Sequence, residues 1–203
     1  MRPESETDAA LMQRVQRGDR EAFAALVTRY QQPVITFIHR SLGDLTEAED
    51  LAQNVFVQVF KAADRYRPAG KFSTWLFTIA RNLCLNELRR RARHPADSLD
   101  APLADAEGGE WLPGLAADAP GPVEITLRHE LEARVEEAIQ ALPEKQRTAL
   151  LLCRERDFSY EDISRVLGCS LTATKSLIHR ARETLKRRLK PYLRTGEWTP
   201  EDG

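Results

Sequence analysis

The sequence predicts an all-α protein with two small helical domains, joined by an acidic linker rich in proline and glycine; the second domain is a helix-turn-helix. Three observations support this prediction. Apolar residues recur at helical spacing on both sides of the middle of the chain, runs of alternating β-branched residues are absent, and proline and glycine cluster between the two helical blocks. The predicted divisions are residues 1–94, 95–122 and 123–203.

The net charge of −1 conceals an uneven distribution along the chain. Residues 1–94 carry 15 basic and 11 acidic side chains, and residues 123–203 carry 15 basic and 14 acidic ones. Residues 95–122 carry six acids and no base, together with five prolines and four glycines, which prevent a long helix. We predict a linker here, mobile in the free protein; an ordered acidic loop packed on one domain is the alternative.

Two helical blocks flank this strip. An acidic start at Glu47-Ala48-Glu49-Asp50 precedes the first run of apolar residues. Pro143-Glu144 is suited to begin a helix in the second block, because proline fits a first helical turn. The residues at helical spacing are Val55, Val59 and Phe60, then Phe72, Leu76, Ile79, Leu83 and Leu88, and in the second block Leu131, Val135, Ile139 and Leu142.

Local signals in the second block predict a helix-turn-helix. Ser159 is a good N-cap, and Asp162 three residues later is the acidic partner of a capping box. Gly168 ends this short helix and supplies the turn, after which Ser170 can cap the next helix. A short helix, a glycine turn and a second helix form the motif that places its second helix in the DNA major groove.

The second of these helices is strongly basic. Leu171, Thr174, Ile178 and Ala181 begin its buried stripe, and eight bases face a single acid between Lys175 and Arg194. Lysine and arginine there can contact guanine edges or phosphates. A solvated basic helix in an ordinary bundle is the alternative. The polar side includes Lys175, Ser176, His179, Arg180, Arg182, Lys186 and Arg187.

Aromatic and basic residues alternate between positions 64 and 82 of the first block. Such mixtures suit single-stranded nucleic acid, since a flipped nucleobase can stack on an aromatic ring while lysine and arginine side chains hold the phosphates. Tyr66 lies in a loop formed by Pro68 and Gly70 and is the best stacking candidate. We expect Phe72, Trp75 and Phe77 to lie in the core. A polar helical face follows at Asn82, Asn86, Arg89 and Arg90, and asparagine amides there can read base edges.

From about Asp19 to Arg188, these residues together resemble the extracytoplasmic-function sigma factors, the smallest class of the sigma-70 family. The order of the motifs makes the resemblance specific, although each motif alone is weak. The matching motifs are Asp19-Arg20-Glu21-Ala22-Phe23 with Tyr30, Ala48 to Phe56, Phe72-Ser73-Thr74-Trp75-Leu76, Ile79-Ala80-Arg81-Asn82, Leu142-Pro143-Glu144, Ser159 to Ile163, and His179-Arg180-Ala181-Arg182.

The resemblance implies a function: directing core RNA polymerase to promoters and helping to open them. The first domain would recognise the minus-ten element, with Tyr66, Arg67 and Lys71 in the specificity loop and Asn82 beside it. The second domain would read the minus-thirty-five duplex through Lys175, Ser176, His179 and Arg180. A helix carrying Glu49, Asp50, Gln53 and Asn54 would dock on the polymerase. The linker would pass through polymerase channels, and an anti-sigma partner is expected.

The sequence departs from the family pattern at two places. Thr172-Ala173-Thr174 stands where family members often have Gly-Thr-Val, and Leu177 stands where they often have arginine. Asn54 occupies a position in the docking helix that is commonly glutamate. These departures leave the promoter sequence open.

The sequence predicts no chemistry and no cofactor. It has no phosphate-binding glycine loop and no HExxH motif, and its histidines are scattered. Cys84, Cys153 and Cys169 form neither a disulfide framework nor a metal knuckle. The polar, acidic N-terminus lacks a signal sequence and no apolar run reaches about 20 residues, so a soluble, cytoplasmic protein is expected.

Three rival functions remain open at this point. A one-component regulator would also carry a helix-turn-helix, but it needs a ligand pocket or a dimer interface in residues 1–94. A recombinase-like enzyme needs paired carboxylates or a nucleophile near the basic residues, and Glu49 and Asp50 are adjacent, so they point in different directions on a helix. A partner-binding protein without DNA contact leaves the basic helix unexplained.

Overall fold

The structure is a computed structural model that describes residues 6–67, 70–93, 122–155 and 157–196. Within these ranges the regular structure is entirely helical, which confirms the all-α prediction. The first domain comprises α1 (Asp8–Gln16), α2 (Arg20–Leu42), α3 (Leu45–Lys61), a short 3-10 turn (Ala63–Arg65) and α4 (Phe72–Arg93). The second comprises α5 (Pro122–Gln140), α6 (Glu144–Arg154), α7 (Tyr160–Leu167) and α8 (Leu171–Thr195).

Two predicted segments lie outside the described residues. The acidic linker, residues 95–122, is outside them except for Pro122, which begins α5. Residues 197–203 are outside them as well. None of the described helices is long and apolar enough to cross a membrane. No cluster of histidine, cysteine or acidic side chains suited to a metal ion occurs in the described part of the chain.

In the first domain, α2, α3 and α4 pack around a common core. Asp19 begins α2 by accepting hydrogen bonds from the backbone N–H groups of Glu21 and Ala22, and Asp44 begins α3 in the same way. Gly43, with φ of 79°, ends α2 and allows the chain to reverse. The fully buried side chains of this core include Leu26, Ile38, Val55, Leu76 and Phe77.

The second domain contains the predicted helix-turn-helix. The Ser159 hydroxyl accepts from the Asp162 N–H, and the Asp162 carboxylate accepts from the Ser159 N–H, so the capping box is complete. Gly168 ends α7 with φ of 62°, and Ser170 caps α8 through the Ala173 N–H. Pro143 is the N-cap of α6, one position ahead of the helix it was predicted to begin.

The two domains pack directly on each other. Helix α4 contacts α7, and α2 contacts α5 and α6. The last carbonyls of α2 have no partner within the helix, and the second domain supplies donors: Gln140 Nε2 binds the Arg40 carbonyl at 2.7 Å, and Arg147 binds the Ser41 carbonyl. The C-terminal end of α2 is therefore capped from across the domain boundary.

We expect Gly168→Ala to lower the free energy of unfolding by about 1–2 kcal/mol, because an L-residue is strained in the left-handed region. No atom lies within 4 Å of a Cβ built at Gly168, so backbone strain alone should account for the loss. Urea unfolding followed by circular dichroism measures it. Gly70→Ala is the matched control: it also meets no neighbour and lacks the positive φ, so an equal loss there would contradict the strain argument.

Candidate nucleic-acid interface

The helix-turn-helix presents one face of α8 to solvent. Thr174, Ile178 and Ala181 are buried against α6 and α7, which fixes the rotation of the helix about its axis. The four residues predicted to read the duplex are on the opposite side and all are exposed: Lys175, Ser176, His179 and Arg180. The first half of α8 is therefore an accessible basic and polar surface.

A second polar surface runs along α4. Asn82, Asn86 and Arg89 are exposed and fall on one side of the helix, as the spacing predicted. The Arg89 guanidinium donates to the Asn86 amide oxygen at 3.2 Å. A cleft of about 260 Å³ lies between Asn86, Arg89, Arg90 and Arg93.

Part of the basic cluster at the end of α4 is neutralised within the domain. The Arg90 guanidinium donates to the Glu87 carboxylate at 2.8 Å, and Arg91 contacts both Glu87 and Glu47. Glu47 lies in the first turn of α3, so these pairs join α3 to the end of α4. The number of arginines in the sequence therefore overstates the positive charge that a nucleic acid would meet here.

Tyr66 is buried rather than accessible, which the loop-forming sequence around it did not predict. The residue follows the 3-10 turn and is 4% exposed, with its ring 5.1 Å from that of Trp75 and 6.1 Å from that of Phe72. Its hydroxyl has no hydrogen-bond partner among the described residues. Burial, together with the charge of Asp8, raises the pKa of Tyr66. A base could reach this ring only after the loop has opened.

The other predicted loop residues differ in accessibility. Arg67 is exposed, and its guanidinium donates to the Asp64 carbonyl at 2.8 Å. Lys71 is also exposed, but its ammonium group lies 3.0 Å from the Asp162 carboxylate of α7 and contacts the Asp157 carbonyl. A residue predicted to lie in the specificity loop is therefore engaged by the other domain.

The predicted docking residues of α3 lie on one exposed surface. Glu49, Asp50, Gln53 and Asn54 are all exposed. Sequence reasoning missed the apolar groove beside them, which has a volume of about 830 Å³ and lies between α2 and α3. Glu49 and Gln53 contribute to the lining of this groove, and the rest of its lining includes Phe23, Val27, Ile35, Val57 and Phe60.

Phe60 is the most conspicuous residue of this groove. It is 52% exposed, and its ring packs edge-on against Phe23 with centroids 5.2 Å apart. Val57, one turn earlier, is 47% exposed. The sequence placed Phe60 in the same apolar run as Val55 and Val59, which are buried, and carried no local signal that its ring would be exposed. Exposed apolar patches of this kind often mark protein-binding sites.

Comparisons with known proteins agree with this architecture. The family model "Sigma-70 region 2" matches residues 26–94, and "Sigma-70, region 4" matches residues 132–185. The "RNA polymerase sigma-H factor" of Pseudomonas aeruginosa is 43% identical over 93% of this chain and 97% of its own length. The "ECF RNA polymerase sigma-E factor" of Escherichia coli K12 is 35% identical over 93% of this chain and 97% of its own length.

Solved structures give the same result. CnrH, in complex with the cytosolic domain of CnrY, superposes with a TM-score of 0.65 at 25% identity, covering 92% of this chain and 99% of CnrH. The sigma factor RpoE of Bartonella quintana, in complex with the anti-sigma factor NepR, gives a TM-score of 0.61 at 26% identity over 83% of this chain and 96% of its own.

Fold, motif order and relatives together define a transcription initiation factor of two helical domains. The chain belongs to the sigma-70 family, in its extracytoplasmic-function class, whose members are RNA polymerase sigma factors that direct promoter-specific initiation.

The ionisation of Asp162 should contribute to stability in a defined pH window. Burial opposes ionisation, but hydrogen bonds from Ser159 and Lys71 outweigh it and lower the pKa of Asp162 to about 2, from an ordinary 3.8. Because the pKa is depressed in the folded state, the contribution of the Asp162 carboxylate to the free energy of unfolding is complete above pH 3.8. It is lost as the pH falls through about 2. We expect the stability difference between wild type and Asp162→Asn to shrink between pH 5 and pH 2, measured by urea unfolding. A difference independent of pH would contradict this account; Glu161→Gln, on the exposed neighbour, is the control.

Proposed function

We propose that this sigma factor divides promoter recognition among the three surfaces described above. The first half of α8 reads the minus-thirty-five duplex, the polar face of α4 and the adjoining loop bind the minus-ten element, and the exposed face of α3 with its groove binds core RNA polymerase. The observation that carries the proposal is the accessible basic surface of α8, oriented by a complete helix-turn-helix.

The role of α8 follows from shape and charge. A single helix fits the major groove, and its first turns are the part that reaches the base edges. Lys175 and Arg180 can donate to guanine acceptors or to phosphates, while Ser176 and His179 add shorter polar contacts. Lys186, Arg187 and Lys190 are exposed further along the same helix, where they are suited to phosphate contacts.

The role of α4 rests on its amides and guanidinium groups. Asn82 and Asn86 can read base edges, while Arg89 and Arg90 border a cleft that suits phosphate oxygens. Arg67 and Lys71 extend this surface into the loop. Tyr66 becomes a stacking platform in this proposal only when the loop moves, because its ring is buried against Phe72 and Trp75.

Promoter opening by this chain requires binding that favours the melted strand. Unstacking a base costs a few kcal/mol, and stacking on an aromatic side chain returns about 1–3 kcal/mol per base. One pocket therefore roughly balances one flipped base, and the remaining contacts must come from the polymerase. We expect the free protein to bind promoter DNA weakly at physiological salt.

The docking surface combines polar and apolar features that suit a helical partner. Glu49, Asp50, Gln53 and Asn54 supply the polar rim, and Phe60 with Val57 supplies an exposed apolar centre. Interfaces are typically organised in this way, with a few buried aromatic anchors inside a polar rim. An anti-sigma factor is a second partner in this proposal, supported by the solved complexes of CnrH and RpoE with their partners.

Run-off transcription tests the proposed function as a whole. Purified core polymerase should initiate specifically, on promoter fragments selected by the holoenzyme, only when this chain is present. Footprints on DNA by the free chain would instead support a one-component regulator, and DNA cleavage would support an enzyme. Absence of specific initiation with core enzyme from a related bacterium would overturn the proposal.

We expect Phe60→Ala to weaken binding to core polymerase at least about tenfold, because buried aromatic anchors contribute about 2 kcal/mol or more to interfaces. Fluorescence anisotropy with labelled sigma factor measures the affinity. Leu193→Ala is the control, since Leu193 is a similarly exposed apolar residue, 65% accessible, in the other domain. Equal affinities of Phe60→Ala and Leu193→Ala would remove the groove from the docking surface.

Arg180→Ala, assayed in the holoenzyme, should cost about 1–3 kcal/mol on promoters with the preferred minus-thirty-five sequence and relax selection at one base position. Lys190→Ala, three turns further along α8, should weaken binding equally on every sequence. Selection of randomised promoter fragments followed by sequencing distinguishes the two. A uniform loss for Arg180→Ala would identify Arg180 as a phosphate contact.

A further inference from the structure

Two ion pairs connect α4 and the residue before it to the second domain, and three of their four residues have no role in the proposed function. The Arg81 guanidinium binds the Glu144 carboxylate through two hydrogen bonds, Nε to Oε1 at 2.9 Å and Nη2 to Oε2 at 3.1 Å. The Lys71 ammonium lies 3.0 Å from Asp162 Oδ2. Arg81, Glu144 and Asp162 all belong to motifs recognised in the sequence, yet none of them faces the proposed DNA or polymerase surfaces.

Apolar contacts accompany these pairs. The Phe158 ring packs edge-on against Phe77 with centroids 5.3 Å apart, and the same Phe77 ring packs on Phe37 in the first-domain core. The Thr74 hydroxyl donates to Asp162 Oδ1 at 3.3 Å. The ion pairs therefore accompany an interface in which α4 contacts both the start of α6, at Glu144, and the residues at the start of α7.

Asp162 joins two tasks in one carboxylate. Oδ2 accepts from the Ser159 N–H at 3.1 Å and from its hydroxyl at 2.7 Å, which caps α7, while Oδ1 accepts from Arg165 at 3.0 Å. These contacts are local to the helix-turn-helix and remain if Lys71 leaves. Separation of the domains therefore removes two partners of Asp162, Lys71 and Thr74, without uncapping α7.

We call the arrangement in which the two domains pack on each other the closed form. A molecule in the closed form cannot contact both promoter elements at once. The minus-ten and minus-thirty-five elements lie roughly 25 base pairs apart, or about 85 Å along B-form DNA. A compact chain of this length has a radius of gyration of about 17 Å, so one closed molecule is too small to span that distance. Lys71, moreover, already donates to the Asp162 carboxylate and the Asp157 carbonyl, and a phosphate brought to it would lie against the Asp162 charge.

We propose that the Arg81–Glu144 and Lys71–Asp162 pairs form an intramolecular latch, in which Asp162 occupies on Lys71 the place that a promoter phosphate takes in the open form. The role of Lys71 in this proposal rests on the proposed function; the latch itself does not. Because a phosphate and the Asp162 carboxylate compete for Lys71 and repel each other, phosphate binding favours the open form, and opening the domains strengthens phosphate binding.

Burial makes the Arg81–Glu144 pair selective for the closed form, whereas the Lys71 side chain is 52% exposed and its pair with Asp162 contributes less. The side chains of Arg81 and Asp162 are 11% and 4% exposed when the domains are closed. Neutralising Glu144 would leave the Arg81 charge buried and unpaired in the closed form, which is strongly unfavourable, whereas the open form returns Arg81 to water. A substitution at Glu144 should therefore shift the equilibrium toward the open form rather than unfold either domain.

Small-angle X-ray scattering of the full-length chain tests the latch directly. We expect the radius of gyration to rise from about 17 Å in the wild type to about 25 Å or more in Glu144→Gln/Asp162→Asn, as expected for two domains on a linker of this length. The control Glu137→Gln/Glu161→Gln also removes two carboxylate charges, but from exposed positions, and should stay compact.

A charge swap gives a second test that stays valid if Asp162→Asn unfolds α7. Arg81→Glu alone should lose the compact form, and Arg81→Glu/Glu144→Arg should restore it. An unchanged radius in Glu144→Gln/Asp162→Asn, with the swap behaving like its single variant, would overturn the latch.

Binding of single-stranded (dT)12 tests the competition for Lys71 without knowledge of the promoter. Glu144→Gln/Asp162→Asn should bind about tenfold more tightly than Glu137→Gln/Glu161→Gln, as expected if opening makes a mostly closed site available. Adding Lys71→Gln should abolish that gain. A gain that survives Lys71→Gln would overturn the role of Lys71. If the wild type is compact but does not support specific run-off transcription, the proposed function is overturned while the latch is still supported.

Discussion

Helix α4 has three faces, of which one packs in the first-domain core, one contacts the second domain and one is exposed. The rest of the structure depends on this constraint. With 3.6 residues per turn, Leu76, Phe77 and Ala80 fall on the face buried in the first-domain core. Thr74 and Arg81 fall next to them and meet the second domain. Asn82, Asn86 and Arg89 fall on the remaining side and are exposed. Rotation of this helix would disturb all three sets of contacts together.

The helix-turn-helix was predictable because its signals are local. Ser159, Asp162, Gly168 and Ser170 act on backbone groups within a few residues of themselves, so their spacing in the sequence already specifies their geometry. The buried stripe of α8 was predictable for the same reason. The packing of the domains was not, because Arg81 and Glu144 are 63 residues apart and neither position carries a local signal for the other.

Tyr66 illustrates a different limit of sequence reasoning. Pro68 and Gly70 predict a loop, and a tyrosine in a loop is expected to be accessible. Its burial depends on Phe72 and Trp75, which lie on α4 and provide a surface for the ring. The exposure of Phe60 is the converse case, since apolar character alone favoured burial. In both cases tertiary packing, rather than local pattern, decided the outcome.

Charge pairing within the chain changes what the basic residues can do. Buried ion pairs contribute little net stability compared with apolar packing, but breaking one partner is costly, so they favour one arrangement over others. Arg81 and Lys71 are paired across the domains, whereas Arg180 and Lys175 are exposed on α8. The proposed minus-thirty-five surface is therefore accessible when the domains are packed together, while Lys71, in the proposed minus-ten surface, is engaged by Asp162. The placement of a few carboxylates therefore decides which basic residues are accessible while the domains are packed together. In the proposed latch, a polyanion that binds Lys71 more tightly than Asp162 does favours separation of the two domains.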